Sequence, residues 1–187
     1  RDLYDAGQKD FGENYVQELV EKQVQLPTDI RWHFIGHLQS NKVKYIAAFI
    51  HMIQGVDSEK LLAEINKQAA KHNRVINCLL QVHIAQEETK FGFDPEEASA
   101  LLHKIFENPS LYPHVNVCGL MGMASFSDDM EKVREEFKSL ATFYQTMKIQ
   151  QETFNCLSMG MSADYKIAIE EGSNLIRVGS LVFGPRS

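Results

Sequence analysis

The sequence predicts an α/β fold, a (β/α)8 TIM-like barrel of parallel strands each followed by a helix. Three observations carry this. Strand-like and helix-like segments alternate along the chain, which implies parallel strands joined by right-handed crossovers. Many of the strand segments are apolar on both faces, as a sheet covered by helices requires. Two apolar runs near the C-terminus stop abruptly in Gly and Ser, Leu157-Ser158-Met159-Gly160-Met161-Ser162 and Ile176-Arg177-Val178-Gly179-Ser180. Such ends bring bare backbone N–H groups up to an anion, and the last strand ends of a β/α barrel are where its phosphate site usually lies. The competing architecture is an open doubly wound sheet.

The elements follow in order. Arg1 to Gly7 reads as the tail of a helix. Asp10-Phe11-Gly12-Glu13-Asn14 is a short strand, and Val16 to Val24 an amphipathic helix with Val16, Leu19, Val20 and Val24 on one face, ended by Pro27. Trp32-His33-Phe34-Ile35-Gly36 is the second strand, followed by a helix from Ser40, a good N-cap, to about Phe49. Met52 to Val56 is the third, with Asp57 or Ser58 capping a helix through Lys71. Cys78 to Ile84 has strand composition and precedes a helix from Pro95 to about Glu107. Val115 to Ala124 is the next strand, backed by a long helix from about Asp129 to Gln150. Phe154 to Met159 with a helix over 163–171, and the apolar run Leu175 to Phe183, complete the chain. The count is seven strand–helix units if a short helix follows the last strand, preceded by half a helix. The expectation is therefore a barrel whose first strand, with part of its first helix, is missing from this sequence.

A chain of 187 residues suits one domain with a large core, here 1–187. Hydrophobic residues at 44% and charged residues at 24% are those of a soluble globular protein. A net charge of −6 argues against nucleic acid or an anionic membrane as a partner. No run approaches the roughly 20 apolar residues of a membrane helix, and no signal-peptide pattern is read. Cys78, Cys118 and Cys156 each lie inside an apolar run, without metal-type spacing. That predicts buried free thiols, no metal site and a cytoplasmic location.

In a barrel, function sits at the C-terminal strand ends. Those ends carry Glu13 and Asn14, His33 with Gly36 and His37, Asp57, His83, Met123 with Ser125, Met161 with Ser162, and Arg177 through Ser180. Several have a plain structural alternative: Asn14 or Asp57 as a helix cap, His33 as a core histidine, His83 as a strand residue. Ser162 follows Gly160 and precedes a helix, so its hydroxyl and the first helical N–H groups face an anion together. Gly179-Ser180 is a second donor pair. Arg177 shares a strand face with Gly179 and enters the barrel mouth, where a buried charge needs a partner. This spacing supports a site for a phosphorylated small molecule. No Walker loop, HExxH or nucleophile elbow occurs, and no nucleophile–base–orienter set can be assembled, so no catalytic residue is assigned.

Phe11-Gly12-Glu13-Asn14-Tyr15-Val16-Gln17-Glu18 and Trp32-His33-Phe34-Ile35-Gly36-His37-Leu38-Gln39-Ser40-Asn41-Lys42 resemble the pyridoxal phosphate homeostasis proteins. So do Gly119-Leu120-Met121, the run Leu157 to Ser162 with Asp164-Tyr165, and Ile176-Arg177-Val178-Gly179 with Phe183-Gly184, in order from Ala6 to Arg186. The resemblance implies a barrel of the alanine racemase N-terminal domain type, without the second domain, that binds pyridoxal 5′-phosphate (PLP). On that pattern Arg177 approaches the pyridine nitrogen. Gly179 and Ser180 hold the phosphate together with Ser162 and its neighbour Met161, and Asn14 and His33 line the opposite side. A permanent cation beside the pyridine nitrogen disfavours its protonation, which fits a carrier better than a catalyst. The implied role is non-catalytic: PLP is buffered and delivered through transient contact with PLP-dependent apoenzymes, by a cytoplasmic monomer. Family members hold PLP as a Schiff base on a lysine upstream of Phe11, and none of Lys9, Lys42, Lys44 and Lys90 occupies that position. The expectation is a chain without that lysine, in which PLP is held noncovalently or not at all. Two alternatives stay open, a PLP-dependent amino-acid racemase and an inactive truncated or engineered barrel.

Overall fold

The apolar runs become β1 (Asp10–Glu13), β2 (Arg31–Phe34), β3 (Met52–Val56), β4 (Ile76–Gln81), β5 (Val115–Met121), β6 (Cys156–Met161) and β7 (Leu175–Arg177). This computed structural model describes residues 1–85 and 91–184. The strands pair in parallel, and their order in the sheet is their order in the chain, β1 to β7. A sequential parallel order has no point at which the winding reverses, which separates a barrel from an open doubly wound sheet. The curvature nearly closes the circle, since Asp10 of β1 and Leu175 of β7 line the same open pocket of about 510 Å³ at the N-terminal ends of the strands.

Between and beside the strands run α1 (Asp2–Asp5), α2 (Val16–Gln25), α3 (Val43–Ile46), α4 (Glu59–Lys71), α5 (Pro95–Glu107), α6 (Met130–Lys148), α7 (Tyr165–Glu170) and α8 (Ser180–Phe183). Their starts follow cap chemistry. Ser58 Oγ accepts the N–H of Leu61 to open α4, and Asp94 with Glu97 forms a capping box ahead of Pro95 in α5. The two-residue alternation of the strands divides the apolar residues into two layers. Trp32, Phe34, Ile53 and Leu80 face outward and join Leu19, Leu62, Ile65, Leu102, Phe137 and Leu140 of the helices in one core. Met52, Leu79, Cys118 and Met121, with Cys156 and Leu175 against them, form the smaller inner layer. Among the described residues no helix is long and apolar enough to cross a membrane.

Two segments differ from their sequence reading. The helix expected from Ser40 to Phe49 is a 3-10 turn at Ser40–Lys42 followed by the short α3. Arg74 ends it by donating to the carbonyls of Ala47 and Ile50 at 2.7 and 2.8 Å, taking over acceptors that further helical turns would need. The run Leu175 to Phe183 is not one strand: β7 stops at Arg177 and the chain turns into α8. Past Arg177 the N–H groups of Gly179 and Leu181 go to Ser162 Oγ rather than to the strand ladder.

Candidate functional site

At the C-terminal ends of β6 and β7 the backbone is arranged around one oxygen. Gly160 has φ +94°, and a Cβ there would lie 2.5 Å from the Cβ of Ala168, so only glycine makes this turn against α7. Asp164 Oδ1 accepts the N–H of Met161 at 2.6 Å and fixes the loop that follows. Ser162 Oγ then accepts the N–H groups of Gly179 at 3.2 Å and Leu181 at 3.3 Å. Convergent donors of this kind, with Ser180 exposed between them, suit an anionic oxygen. Met161, 38% exposed, stands at the rim beside them.

Arg177, one step down β7, points into the barrel. Its Nη1 donates to Ser158 Oγ at 2.6 Å and its Nη2 to the carbonyl of Gly122 at 2.9 Å. Both acceptors are neutral. Burial pulls its pKa down to about 10, with the more distant Asp164 and Cys156 opposing the shift. It therefore stays a cation at neutral pH, and among the described residues no carboxylate contacts it directly.

Below Arg177 a buried polar series crosses the interior. Ser158 Oγ donates to Gln54 Oε1 at 2.6 Å, Gln54 Nε2 meets His33 Nδ1 at 3.0 Å, and His33 Nε2 meets Asp10 Oδ1 at 3.1 Å. Arg31 also grips Asp10 and is the main cause holding that carboxyl below its usual range. Burial pushes the His33 pKa down, outweighing the opposing pull of Asp10, and burial likewise lowers that of His51, whose ring lies 5.5 Å away. Both imidazoles titrate below the ordinary value of about 6.5. Between that value and the folded one, the unfolded chain binds protons that the folded chain refuses, so stability falls as pH drops through this window and is complete above it. The melting temperature should be level from neutral to mildly basic pH and decline below about pH 6.5. Thermal denaturation across that range should show a shallower decline in His51→Gln. An equal slope in both proteins would remove His51 from the account.

The remaining strand-end residues separate by what they touch. Asn14 follows β1, its main chain packed on Gly36, and the following helix α2 has Tyr15 as N-cap with no side-chain cap bond. Asp57 does not cap α4; Ser58 does, while Asp57 pairs with His37 at 3.0 Å and His37 packs on Phe91 with ring centroids 4.7 Å apart. Ser125 is tied to α6, donating N–H and Oγ–H to Glu136 at 2.7 Å each. His83 bonds through its backbone to Phe93. Burial drives the thiols of Cys118 and Cys156 up to about 11 and about 12, which leaves them un-ionised and unreactive at neutral pH. Among the described residues no group of three or more His, Cys, Asp or Glu side chains is placed to hold a metal ion. Lys90 and Arg186 lie outside the described residues.

The structure thus brings Met161, Ser162, Arg177, Gly179 and Ser180 to one end of two adjacent strands. Asn14 follows β1, the outer strand at the opposite end of the sheet from β7, and His33 joins Arg177 through Gln54 and Ser158. Reading strand ends missed Gln54, Ser158 and Asp10. Their signal is a polar residue of inward parity inside a strand run: Ser158 alternates with Gly160 and Ser162, and Gln54 sits between Ile53 and Gly55.

Residues 1–187 match the family described as "Alanine racemase, N-terminal domain". A pyridoxal phosphate homeostasis protein of Aquifex aeolicus (strain VF5) is 41% identical over 191 residues, covering 100% of this chain and 81% of that protein. PipY of Synechococcus elongatus PCC7942, solved without PLP, superposes with a TM-score of 0.89 at 34% identity, over 98% of this chain and 86% of that one. The PLP-bound structure of PipY gives 0.85 at 34% identity, over 98% of this chain and 85% of that one.

Proposed function

From the premise that this chain belongs to the alanine racemase N-terminal domain family, and within it to the pyridoxal phosphate homeostasis proteins, we propose that it binds PLP and holds it for delivery to other proteins. The residues fit the two ends of that cofactor. Ser162 with the N–H groups of Gly179 and Leu181 forms an anion cradle for the phosphate, with Ser180 and Met161 beside it. Among the described residues Arg177 presents a cation bonded to two neutral oxygens, ready to donate to a ring nitrogen. Asn14 closes the mouth from β1, and His33 acts from beneath.

The observation that carries this reading is Arg177, a half-buried guanidinium at the end of the strand that leads into a backbone N–H cradle. When bound, PLP supplies an aldehyde and a pyridine ring that becomes an electron sink once its nitrogen is protonated. Arg177 has only donors to offer, so it hydrogen-bonds an unprotonated nitrogen and opposes its protonation. A site tuned in this way stores the cofactor rather than driving carbanion chemistry, so the proposed role is non-enzymatic. Its partners are PLP and, transiently, PLP-dependent apoenzymes, with the chain acting as one PLP-binding unit and as a monomer. The three free cysteines, two of them buried, suit a reducing cytoplasm.

Equilibrium dialysis against PLP, followed by incubation with L- and D-alanine and chiral chromatography, tests the proposal. Saturable retention near one PLP per chain without racemisation is expected. A protein that retains no PLP sinks the cofactor reading, and amino-acid-dependent racemisation sinks the carrier reading.

A further inference from the structure

Resting on the PLP reading above, we propose that Ser158, Gln54 and His33 are positioning residues that fix the Arg177 guanidinium toward the ring end of the cofactor, through a hydrogen-bond chain that runs in one direction only. The direction follows from the two ends. Arginine has donors and no acceptor, and an ionised carboxylate has acceptors and no donor. Arg177 Nη1 must therefore donate to Ser158 Oγ, and the single Ser158 proton passes to Gln54 Oε1. This turns the carbonyl end of Gln54 to Ser158 and its amide end to His33. The amide nitrogen only donates, so His33 Nδ1 accepts, which puts the proton of the neutral ring on Nε2, where it goes to Asp10.

Every link is spoken for, and the three inner members have no solvent to fall back on: His33 is 5% exposed, Gln54 1% and Ser158 0%. A reversed or broken link strands a buried donor or acceptor, which is costlier than the bond itself is favourable. A doubly protonated His33 would set Nδ1–H against the Gln54 amide. The charged or titratable groups facing it are Asp10, Arg31 and His51, and burial keeps it neutral in spite of Asp10. The chain joins β7, β6, β3, β2 and β1 across the interior, with 104 residues of sequence between Ser158 and Gln54. Sheet pairing alone sets no side-chain rotamer on β7; this chain and the Gly122 carbonyl do.

Nitrogen-15 NMR of the ligand-free protein, paired with titrations of PLP and of inorganic phosphate, tests the assignment. In wild type, His33 should appear as the Nε2–H tautomer and Arg177 should give resolved Nη signals. Ser158→Ala should merge those signals and weaken PLP about tenfold. Its inorganic phosphate affinity should stay unchanged, because the cradle at Ser162 is untouched; a general structural lesion would weaken both ligands. Gln54→Glu, which keeps an acceptor for Ser158 but no donor for His33, should leave the Arg177 signals resolved and move a proton to His33 Nδ1. An Nδ1–H tautomer in wild type, unaltered Arg177 signals in Ser158→Ala, or equal loss of both ligands overturns the chain. A wild type that binds phosphate but no PLP overturns the cofactor reading instead, and the ligand-free spectra still decide whether the chain orients Arg177.

Discussion

Arg177→Met is expected to raise the dissociation constant for PLP by about ten- to a hundredfold while the melting temperature stays level or rises slightly. The two effects have opposite signs because the guanidinium is held at a cost. A cation whose pKa is lower folded than unfolded destabilises the fold at every pH below the folded value, here about 10, and the penalty is relieved only as pH climbs from there toward the unfolded value. Ser158 and the Gly122 carbonyl return part of that penalty. Methionine removes the charge, fills most of the volume and leaves Ser158 its bond to Gln54, while the Gly122 carbonyl loses its donor, which keeps any gain small. Equilibrium dialysis and thermal melts on the same preparations decide. A melting temperature that collapses while PLP is still retained would make Arg177 a structural residue.

On the proposed function, that trade places Arg177 where strain and function usually meet: a group held at a cost to the fold is the one the ligand would use. The cradle at Ser162 differs. Its oxygen already accepts two backbone N–H groups, so with or without an anion the turn from β7 into α8 stays satisfied. Binding at this end exchanges one acceptor for another. On the same proposal, the Arg177 end gains an acceptor beyond the two neutral oxygens it has among the described residues.

The contrast also explains what the sequence made legible. The strand ends at Met161-Ser162 and Gly179-Ser180 stood out because glycine and serine interrupt apolar runs there, and local chemistry suffices to read them. The alternation of elements likewise anticipated the sequential parallel sheet. The interior series was not legible in the same way. Gln54 and Ser158 each look like an isolated polar residue in a hydrophobic strand, and the partner that satisfies each is on a distant strand. Only closure of the barrel brings them together. The overlong helix after Ser40 failed for a similar reason, since the group that stops it is Arg74, beyond the next strand and helix. His33 was read as a strand-end residue lining the site or a core histidine, and its link to Arg177 runs through Gln54 and Ser158, whose only local mark is a polar side chain of inward parity.

Gly119→Ala is expected to be the most damaging single methyl in the chain, costing about 3 kcal/mol or more and taking PLP retention with it. The reason is space, not backbone conformation. Gly119 pairs with Cys156, and a Cβ on it would sit 1.7 Å from the Cys156 carbonyl oxygen and 2.6 Å from the carbonyl carbon. Those are backbone atoms of the neighbouring strand, so no rotamer change relieves the contact and β6 itself must move. The strand has little freedom to do so. Asn155 N–H is bonded to the Cys118 carbonyl at 2.9 Å, Gly122 N–H to that of Ser158 at 3.0 Å, and Leu157 N–H to Asn174 Oδ1 at 2.8 Å. Any shift large enough to admit the methyl breaks bonds on both edges of β6. It also displaces Ser158 and Ser162, which ride on or just beyond this strand and meet Arg177 and the cradle. Urea denaturation gives the stability difference, and thiol labelling of Cys78, fully buried in the wild type, reports whether the sheet has opened. A variant that unfolds within about 1 kcal/mol of wild type, with Cys78 protected, would mean that β5 and β6 slide apart more freely than their hydrogen bonds allow. Damage confined to PLP binding would place the displacement in the upper half of β6 alone, between Ser158 and Ser162.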